Sequence, residues 1–294
     1  MTNILVMGVS GMLGSIVFKY LTENENLTVF GTVRNPEYQK DNVLLFDAND
    51  ITQLEKDEFK KLQIDYCINC IGIIKPLCKD NDLIGVKRAI KINAEFPWKL
   101  GEYANNHEIK VIQIGTDCVY SGKEGNYNED AIHDPLDVYG KTKSLGEPFD
   151  GSTLIIRCSI IGPEIKEQKY SLLEWFLSQP KGGKIGGYEH HKWNGVTTLQ
   201  FAQICGQIIL KGAFDNLMEI SHIHHYVPNN KVSKYELMNI FNDLYAKDLE
   251  IDKVNIPEQS VDRTLSTRFS ELDKLSKKMS IRDAVKELND YVEI

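Results

Sequence analysis

The 294-residue chain has few of the features that mark membrane, secreted or nucleic-acid-binding proteins. No apolar run approaches the ~20 residues that cross a bilayer. The first residues show no basic segment followed by a long apolar one, so no signal peptide is predicted. Lys and Arg number 34 against 42 Asp and Glu, which argues against a general binder of nucleic-acid backbones. We therefore expect a cytoplasmic protein whose partners include neither a membrane nor nucleic acid.

Cysteine is also scarce, and its distribution does not predict a metal site. Several cysteines lie in apolar runs that are typical of buried strands, which indicates reduced thiols. Cys67 and Cys70 form one Cys-x-x-Cys, but residues three apart on a strand face opposite sides, and no second pair follows. The neighbouring histidines lack a nearby set of carboxylates. The six cysteines are at positions 67, 70, 78, 118, 158 and 205.

A glycine pattern follows the first apolar run of the chain. The run over 3–7 leads into Gly8-Val-Ser-Gly-Met-Leu-Gly14, and an apolar-periodic helix is predicted over 12–24. In a strand–turn–helix context, the first glycine permits the tight turn, the second admits a pyrophosphate, and the third allows close packing. A plain turn is the alternative. The predicted phosphate contacts are Gly8, Ser10, Gly11, Met12, Leu13 and Gly14.

Strands and helices alternate over the first 160 residues. The pattern predicts strands at 27–33, 43–46, 65–71, 110–114 and 153–158, and helices at 51–62 and 79–106. It indicates an α/β fold with a doubly wound parallel sheet of the Rossmann type. Further on, helices are predicted at 170–178, 198–211, 234–246 and 281–292, strands at 218–222 and 251–255, and a turn-rich segment at 181–187. We expect residues 1–160 to form the cofactor domain, with sheet elements returning near 195–225, and residues 161–294 to form mostly a smaller substrate-binding lobe.

Residues at the predicted strand ends indicate which cofactor binds. Arg34 stands where a cofactor with free ribose hydroxyls usually meets an acidic residue, and arginine suits a 2′-phosphate. NADPH is therefore expected, with NADH as the alternative. Asp47 could accept from an adenine amino group. Cys70, Ile71 and Gly72, at the end of the fourth strand, are predicted to line the same site.

Tyr139 and Lys143 lie four residues apart at the start of a predicted helix, so both side chains project from one face. A phenol titrates near pH ~10, and one nearby ammonium could supply roughly the 4 kcal/mol that lowers this to about 7. The pair is therefore a candidate acid/base device. A solvated helix face is the alternative for the pair in isolation.

Together these motifs resemble the extended short-chain dehydrogenase/reductase superfamily. Within it, the glycine turn, Gly115-Thr-Asp-Cys-Val-Tyr-Ser-Gly122 and Asp137-Val-Tyr-Gly-Lys-Thr-Lys-Ser-Leu-Gly-Glu147 look most like the dTDP-4-dehydrorhamnose reductase family. Arg157-Cys-Ser-Ile-Ile-Gly162 and Asp262-Arg-Thr-Leu-Ser-Thr-Arg268 add to the match. The resemblance covers essentially the whole chain.

The resemblance implies a role for each central residue. Thr116 would hydrogen-bond the substrate oxygen, Tyr139 would exchange the proton, and Lys143 would bind the nicotinamide ribose and lower the pKa of Tyr139. Asn93 would support a proton relay, or else pack within its helix. The implied reaction is reduction of the C4 keto group of a 4-keto-6-deoxy nucleotide sugar, in surface polysaccharide synthesis.

Two alternatives remain open. Cys118 occupies a position at which GDP-fucose synthases carry an acid/base cysteine, which would imply a combined 3,5-epimerase/4-reductase. In those synthases a histidine after a Gly-Pro assists the cysteine, and this chain has Glu164 at that position. The methionine adenosyltransferase β subunit also resembles these reductases, which would imply a non-catalytic NADP-binding regulatory subunit. A 4,6-dehydratase is disfavoured, because the glutamate it needs is replaced by Cys118.

The substrate-binding residues are predicted from residue type and position. Arginines match diphosphate geometry, and an aromatic side chain can stack on a base. Surface charges and a packing tryptophan are the alternatives. The oligomeric state stays open, with a homodimer as one option. The candidates are Lys75, Thr116, Cys118, Trp193, Asn194, Thr197, Arg263 and Arg268.

Overall fold

The computed structural model describes residues 1–292, which contain fourteen strands and eleven α-helices. The strands are β1 (Thr2–Met7), β2 (Leu27–Val33), β3 (Val43–Leu45), β4 (Tyr66–Asn69), β5 (Lys110–Ile114), β6 (Thr153–Arg157), β7 (Ile160–Ile161), β8 (Lys184–Tyr188), β9 (His191–Trp193), β10 (Val196–Thr197), β11 (Ile223–His225), β12 (Val232–Ser233), β13 (Glu250–Val254) and β14 (Val261–Asp262). The helices are α1 (Met12–Thr22), α2 (Asp57–Lys60), α3 (Leu83–Ala89), α4 (Phe96–Asn106), α5 (Val138–Leu145), α6 (Leu172–Leu177), α7 (Thr198–Leu210), α8 (Phe214–Ile220), α9 (Lys234–Tyr245), α10 (Glu271–Leu275) and α11 (Ile281–Val292).

Seven strands form one parallel sheet in the order β11-β6-β5-β4-β1-β2-β3. The order reverses at β1 and β4, which places a crevice beyond the carboxyl ends of these two strands. The predicted doubly wound α/β fold of the Rossmann type is confirmed.

The sheet is buried on both faces because its side chains alternate between two cores. In β1, Ile4 and Val6 belong to a core that includes α1 and α7, whereas Leu5 and Met7 belong to a core that includes α4. Strands covered on both faces read as continuous apolar runs, which is how they appear in the sequence.

The segment predicted to be turn-rich, 181–187, is instead largely strand. β8 pairs in parallel with β13, with Ile185 opposite Ile251. Gly182 lies in a turn before the strand, but Gly187 within β8 serves close packing, since a Cβ there would lie 2.9 Å from the Cα of Tyr235 in α9. The predicted strand at 251–255 is present as β13.

Three other predicted elements differ in the structure. The helix predicted at 51–62 is a 3-10 segment over Ile51–Glu55 followed by α2. The strand predicted at 218–222 lies mostly within α8, where Phe214 and Leu217 are buried one turn apart, and β11 begins just after it. The long helix predicted at 79–106 begins at Leu83 and contains a π-helical turn over Ile90–Glu95. Pro97, which has no N–H to give to the Asn93 carbonyl, explains that local change.

Candidate active site

The glycine turn between β1 and α1 has the backbone geometry of a phosphate site. Gly8 has a φ of +84°, and its carbonyl accepts a hydrogen bond from the Gly11 N–H at 2.9 Å. A Cβ on Gly14 would lie 2.3 Å from the Gly8 carbonyl oxygen, so only glycine fits there. No side chain caps the start of α1, which leaves the first N–H groups of the helix for an anion. Of the other predicted contacts, Ser10 lies in the same turn and is half-buried, while Met12 and Leu13 begin α1, the first half-buried and the second buried.

Two cations lie near the end of β2. Arg34 follows β2 directly and is exposed. Lys166, from the segment after β7, has its pKa lowered by burial and by the positive charge of Arg34. A pair of cations suits a 2′-phosphate better than free ribose hydroxyls. Asp47, beyond β3, accepts hydrogen bonds from the backbone and side chain of Asn49 at 3.0 and 2.7 Å.

The segment after β4 is held by two buried asparagines. The Ile71 N–H donates to Asn69 Oδ1 at 3.1 Å, and the Ile71 side chain lies beside Gly8. Asn93 accepts from the Ile73 N–H at 2.7 Å and donates to the Ile73 carbonyl at 2.9 Å, so it fixes the same loop. This supports the packing interpretation of Asn93. Cys70 is half-buried, and Gly72 is exposed at the same place.

The helix that carries Tyr139 and Lys143 is α5, whose first turn is capped by Asp137 accepting from the Gly140 N–H at 2.9 Å. Lys143 is buried, and its Nζ donates to the Ile114 carbonyl at the end of β5, at 2.9 Å. Thr116 follows β5 and accepts from the Cys118 N–H at 3.2 Å. Tyr139, Thr116 and Cys118 are thus neighbours at the carboxyl edge of the sheet.

The pKa of Tyr139 is shifted in the direction opposite to the one expected from spacing. Burial raises the pKa of this phenol, and the negative forms of Cys118 and Asp117 add to the rise, while the Thr116 side chain lowers it. The four-residue spacing predicted that the Lys143 ammonium lies next to the Tyr139 phenol. In the structure that ammonium is engaged with the Ile114 carbonyl instead.

Buried charges anchor the far end of α5. Arg157 in β6 is 2% exposed and donates to both oxygens of Glu147, at 2.9 and 2.6 Å. Burial lowers the pKa of Lys143, and the negative charge of Glu147 raises it. The pair therefore fixes the position of the helix and helps to keep Lys143 protonated.

Cys118 is not poised as a base in this arrangement. Burial, and next the negative charge of Asp117, raise the pKa of its thiol to about 12. Glu164, which stands in place of the assisting histidine of the epimerase alternative, accepts hydrogen bonds from the N–H groups of Tyr170 and Ser171, both at 2.6 Å. Its carboxylate is thus occupied by its own loop.

Only some of the predicted substrate residues approach the reacting centre. The Arg263 guanidinium donates from Nε to the Tyr120 carbonyl at 2.9 Å, and its charge acts on the pKa values of Asp117 and Cys118. Trp193 is buried and donates to Ser159 Oγ at 2.8 Å.

The other predicted substrate residues are engaged with the protein itself. Lys75 pairs with Asp137 at 2.6 Å. Asn194 donates to the Leu265 carbonyl at 2.7 Å, and the fully buried Thr197 caps α7. Arg268 is exposed and pairs with Asp130 at 2.5 Å. For these side chains, substrate contact stays a prediction that would require rearrangement.

Lys166 and Lys234 are the two cations that the sequence interpretation missed. Lys234 is the first residue of α9, and its Nζ lies over the Trp193 ring, 5.0 Å from the centroid. Asp117 and Cys118 are the groups whose charges act on it. Nothing in the sequence near Lys234 points to a site, because a lysine after a capping serine is common at a helix start.

Two kinds of feature are absent from residues 1–292. No group of three or more His, Cys, Asp or Glu side chains is arranged to hold a metal ion. None of the helices in this range has the length and apolar character to span a bilayer.

Comparison with known proteins gives a consistent set of matches. The family model of the RmlD substrate binding domain matches residues 1–288. Methionine adenosyltransferase 2 subunit beta from Bos taurus is 23% identical over 249 residues, which cover 83% of this chain and 72% of that protein. The dTDP-4-dehydrorhamnose reductase from Aggregatibacter actinomycetemcomitans is 31% identical over 153 residues, 50% of this chain and 46% of that protein.

A solved structure shares the fold over its full length. The dTDP-4-dehydrorhamnose reductase from Bacillus anthracis, in complex with NADP, superposes with a TM-score of 0.77 at 15% identity. The alignment covers 99% of this chain and 100% of that one. The resemblance predicted from the sequence motifs is confirmed at the level of the family.

Proposed function

The chain belongs to the RmlD substrate binding domain family, and we propose that it is an NADPH-dependent reductase of the C4 keto group of a 4-keto-6-deoxy nucleotide sugar. Its role would lie in the synthesis of surface polysaccharides. Residues 1–160 would bind the cofactor, and residues 161–294 would contribute most of the substrate lobe. A homodimer remains one option for the assembly.

The observation that carries the proposal is the meeting of three side chains at one edge of the sheet. Thr116 follows the fifth strand, and Tyr139 lies beside it. Lys143, one turn further along α5, donates to the Ile114 carbonyl. The glycine turn opens at the same edge. This combination favours an enzyme. A protein that only binds the cofactor needs the glycine turn, but it does not need the side chains of Thr116, Tyr139 and Lys143 together.

The residues present fit the proposed cofactor. The uncapped start of α1 and the cradle at Gly8, Gly11 and Gly14 suit a pyrophosphate. Arg34 and Lys166 suit a 2′-phosphate. NADPH, when bound, supplies the hydride; the protein supplies position and charge.

The pKa of Tyr139 indicates which group donates the proton to the substrate. Because this pKa is raised, the phenol is protonated near neutral pH and can donate to the carbonyl oxygen as negative charge develops there. The Thr116 hydroxyl would hydrogen-bond the same oxygen. With the hydride that the cofactor would supply to the carbonyl carbon, the oxygen would take the phenol proton, and the product would be a secondary alcohol. Lys143, held by the Ile114 carbonyl, would contact the nicotinamide ribose.

The proposal is tested by binding to a variant that cannot turn over. A Tyr139→Phe protein saturated with NADP⁺ is heated with sugar nucleotides that differ in base and in sugar. A substrate-like compound should raise the thermal midpoint, because a ligand that binds only the folded state stabilises it. A panel in which no sugar nucleotide raises the midpoint would count against the proposal.

The epimerase-reductase alternative makes a separate prediction. A combined enzyme would exchange the hydrogens on C3 or C5 with solvent deuterium before reduction, and Cys118→Ser would stop that exchange. The raised pKa of Cys118 and the engagement of Glu164 support simple reduction. We therefore expect turnover without deuterium incorporation in the wild-type protein.

The similarity to methionine adenosyltransferase 2 subunit beta supports a second candidate, a non-catalytic NADP-binding subunit. This candidate predicts a stoichiometric synthetase partner and no turnover on any sugar nucleotide. Recovery of such a partner from cell extract, together with absent turnover, would favour it over the reductase.

A further inference from the structure

Lys234 is a half-buried cation of the substrate lobe, and its ammonium has no ion-pair partner among residues 1–292. Its ammonium lies over the Trp193 ring, 5.0 Å from the centroid. Within residues 1–292, no hydrogen bond or ion pair of this ammonium is found, and only the Asp117 carboxylate and, after it, the Cys118 side chain raise its pKa. Lys253, over Tyr235 at 5.5 Å, has a similar aromatic contact but pairs with Glu189 at the surface.

The space that Lys234 faces has an excess of positive charge. Asp117, 8% exposed, is the carboxylate that acts on Lys234, and Arg263 acts on the same carboxylate. Asp137, the other acidic group near Cys118, is already paired with Lys75 at 2.6 Å. Two cations therefore share one buried carboxylate next to Thr116 and Tyr139.

Packing does not account for a lysine at this position. A methionine could cover the Trp193 ring equally well without bringing a charge out of water. An unpaired ammonium that is held partly out of water lowers the stability of the folded protein, so a lysine at this place points to a ligand that supplies the missing negative charge.

We propose that Lys234 and Arg263 together bind an anionic group of the substrate in the pocket that Thr116 and Tyr139 line. The group is a phosphoryl or a carboxylate, which share charge and acceptor oxygens. The first would be the diphosphate of the nucleotide sugar, and the second would be the carboxylate of a sugar acid, which would take the place of the 6-deoxy sugar. The inference rests on the proposed function, because it assigns the substrate chemistry of that same pocket.

The experiment measures ligand binding rather than turnover. Wild type, Lys234→Met, Lys234→Arg and the matched control Lys253→Met are saturated with NADP⁺ and titrated in a calorimeter. The probes are dTDP and UDP for the diphosphate source, and UDP-glucuronate against UDP-glucose for the carboxylate source.

If the diphosphate is the anion, Lys234→Met should weaken the binding of a nucleoside diphosphate by roughly 10- to 100-fold. If a sugar carboxylate is the anion, nucleoside diphosphate affinity should hold and the preference for UDP-glucuronate over UDP-glucose should disappear. Lys234→Arg should keep much of the wild-type affinity, because it keeps the positive charge. Lys253→Met should bind the probes as the wild type does. Unchanged binding of all probes by Lys234→Met, or no binding of any probe by the wild type, overturns the inference.

A structural role is separated by a thermal melt of the same variants. Lys234→Met should melt at or above the wild-type temperature, and a clear fall would overturn the inference by showing that the lysine holds the fold together. The proposed reductase is judged independently. Turnover that does not depend on Lys234 would contradict only this inference. Binding that depends on Lys234, without any turnover, would contradict only the proposed reductase activity.

Discussion

Arg157 donates two hydrogen bonds to the Glu147 carboxylate, at 2.9 and 2.6 Å, and both side chains are almost fully buried. This pair joins strand β6 to the residues just after the helix of Tyr139 and Lys143. These two hydrogen bonds fix the position of α5 relative to the sheet. The position of the proposed proton donor therefore depends on a contact two helical turns away.

Glu147→Gln should destabilise the protein by about 3–5 kcal/mol, because it leaves the Arg157 charge buried without a partner. Urea denaturation followed by circular dichroism measures the change. The control is Asp130→Asn, which removes an exposed pair with Arg268 and should change the free energy of unfolding by less than about 1 kcal/mol. Equal losses in the two variants would contradict this account of the pair.

Arg34→Ala should weaken NADPH binding by roughly 10- to 100-fold and leave NADH binding nearly unchanged, because only the 2′-phosphate loses its partner. Fluorescence titration of both cofactors measures the effect. Lys40→Ala is the control, since Lys40 is exposed in the same segment and lies over Phe18 at 5.7 Å. Parallel losses for NADPH and NADH would show that Arg34 does not read the phosphate.

Asn93→Ala should lower the free energy of unfolding by about 1–3 kcal/mol, because it leaves the Ile73 backbone groups without their partner. The residue is 1% exposed and makes both hydrogen bonds to Ile73. Urea denaturation and steady-state turnover are measured on the same preparation. Unchanged stability with a large loss of turnover would instead support the proton-relay interpretation.

Lys234→Met should stabilise the protein in a pH-dependent way. Burial lowers the pKa of Lys234 to about 8, below its ordinary value of about 10.4. The protonated lysine therefore destabilises the fold fully below pH 8, and this effect fades as the pH rises from 8 toward 10.4. We expect a gain of about 1–3 kcal/mol at pH 7, with allowance for partial exposure. Urea denaturation at pH 7 and pH 10 measures it, and a gain that grows with pH would contradict the assigned sign.

The same titration predicts how substrate binding responds to pH. Asp117 and Cys118 raise the pKa of Lys234, and the positive charge of Arg263 lowers the pKa of the same Asp117 carboxyl. KM of the wild type should rise as the pH passes about 8, because Lys234 then loses its charge. Lys234→Met should have a high KM with a flat profile over that range.

The sequence predicted the sheet well because its strands are continuous apolar runs that end at recognisable residues. It failed where packing overrides local pattern. Gly186 and Gly187 read as a turn, but β13 pairs with this segment and α9 approaches it closely. The region of 218–222 has strand-like composition, but burial of Phe214 and Leu217 one turn apart selects a helix.

In the site, too, features set by nearby residues could be predicted, and features set by residues distant in sequence could not. Tyr139, Lys143 and Thr116 could be predicted because their spacing and their places at strand and helix ends are local. The raised pKa of Tyr139 could not, because it depends on burial and on Cys118 and Asp117. Lys234 is distant in sequence from every residue it faces, so only the fold brings it into the site.

The central claim is tested most directly by NADPH oxidation, followed at 340 nm, with a panel of 4-keto-6-deoxy sugar nucleotides. The wild-type protein should consume one NADPH per sugar reduced with at least one member of the panel. Tyr139→Phe should bind NADPH normally and turn over at least about 100-fold more slowly, because it lacks the proton donor. Absence of NADPH oxidation by the wild type with every member, or equal rates for wild type and Tyr139→Phe, would contradict the account.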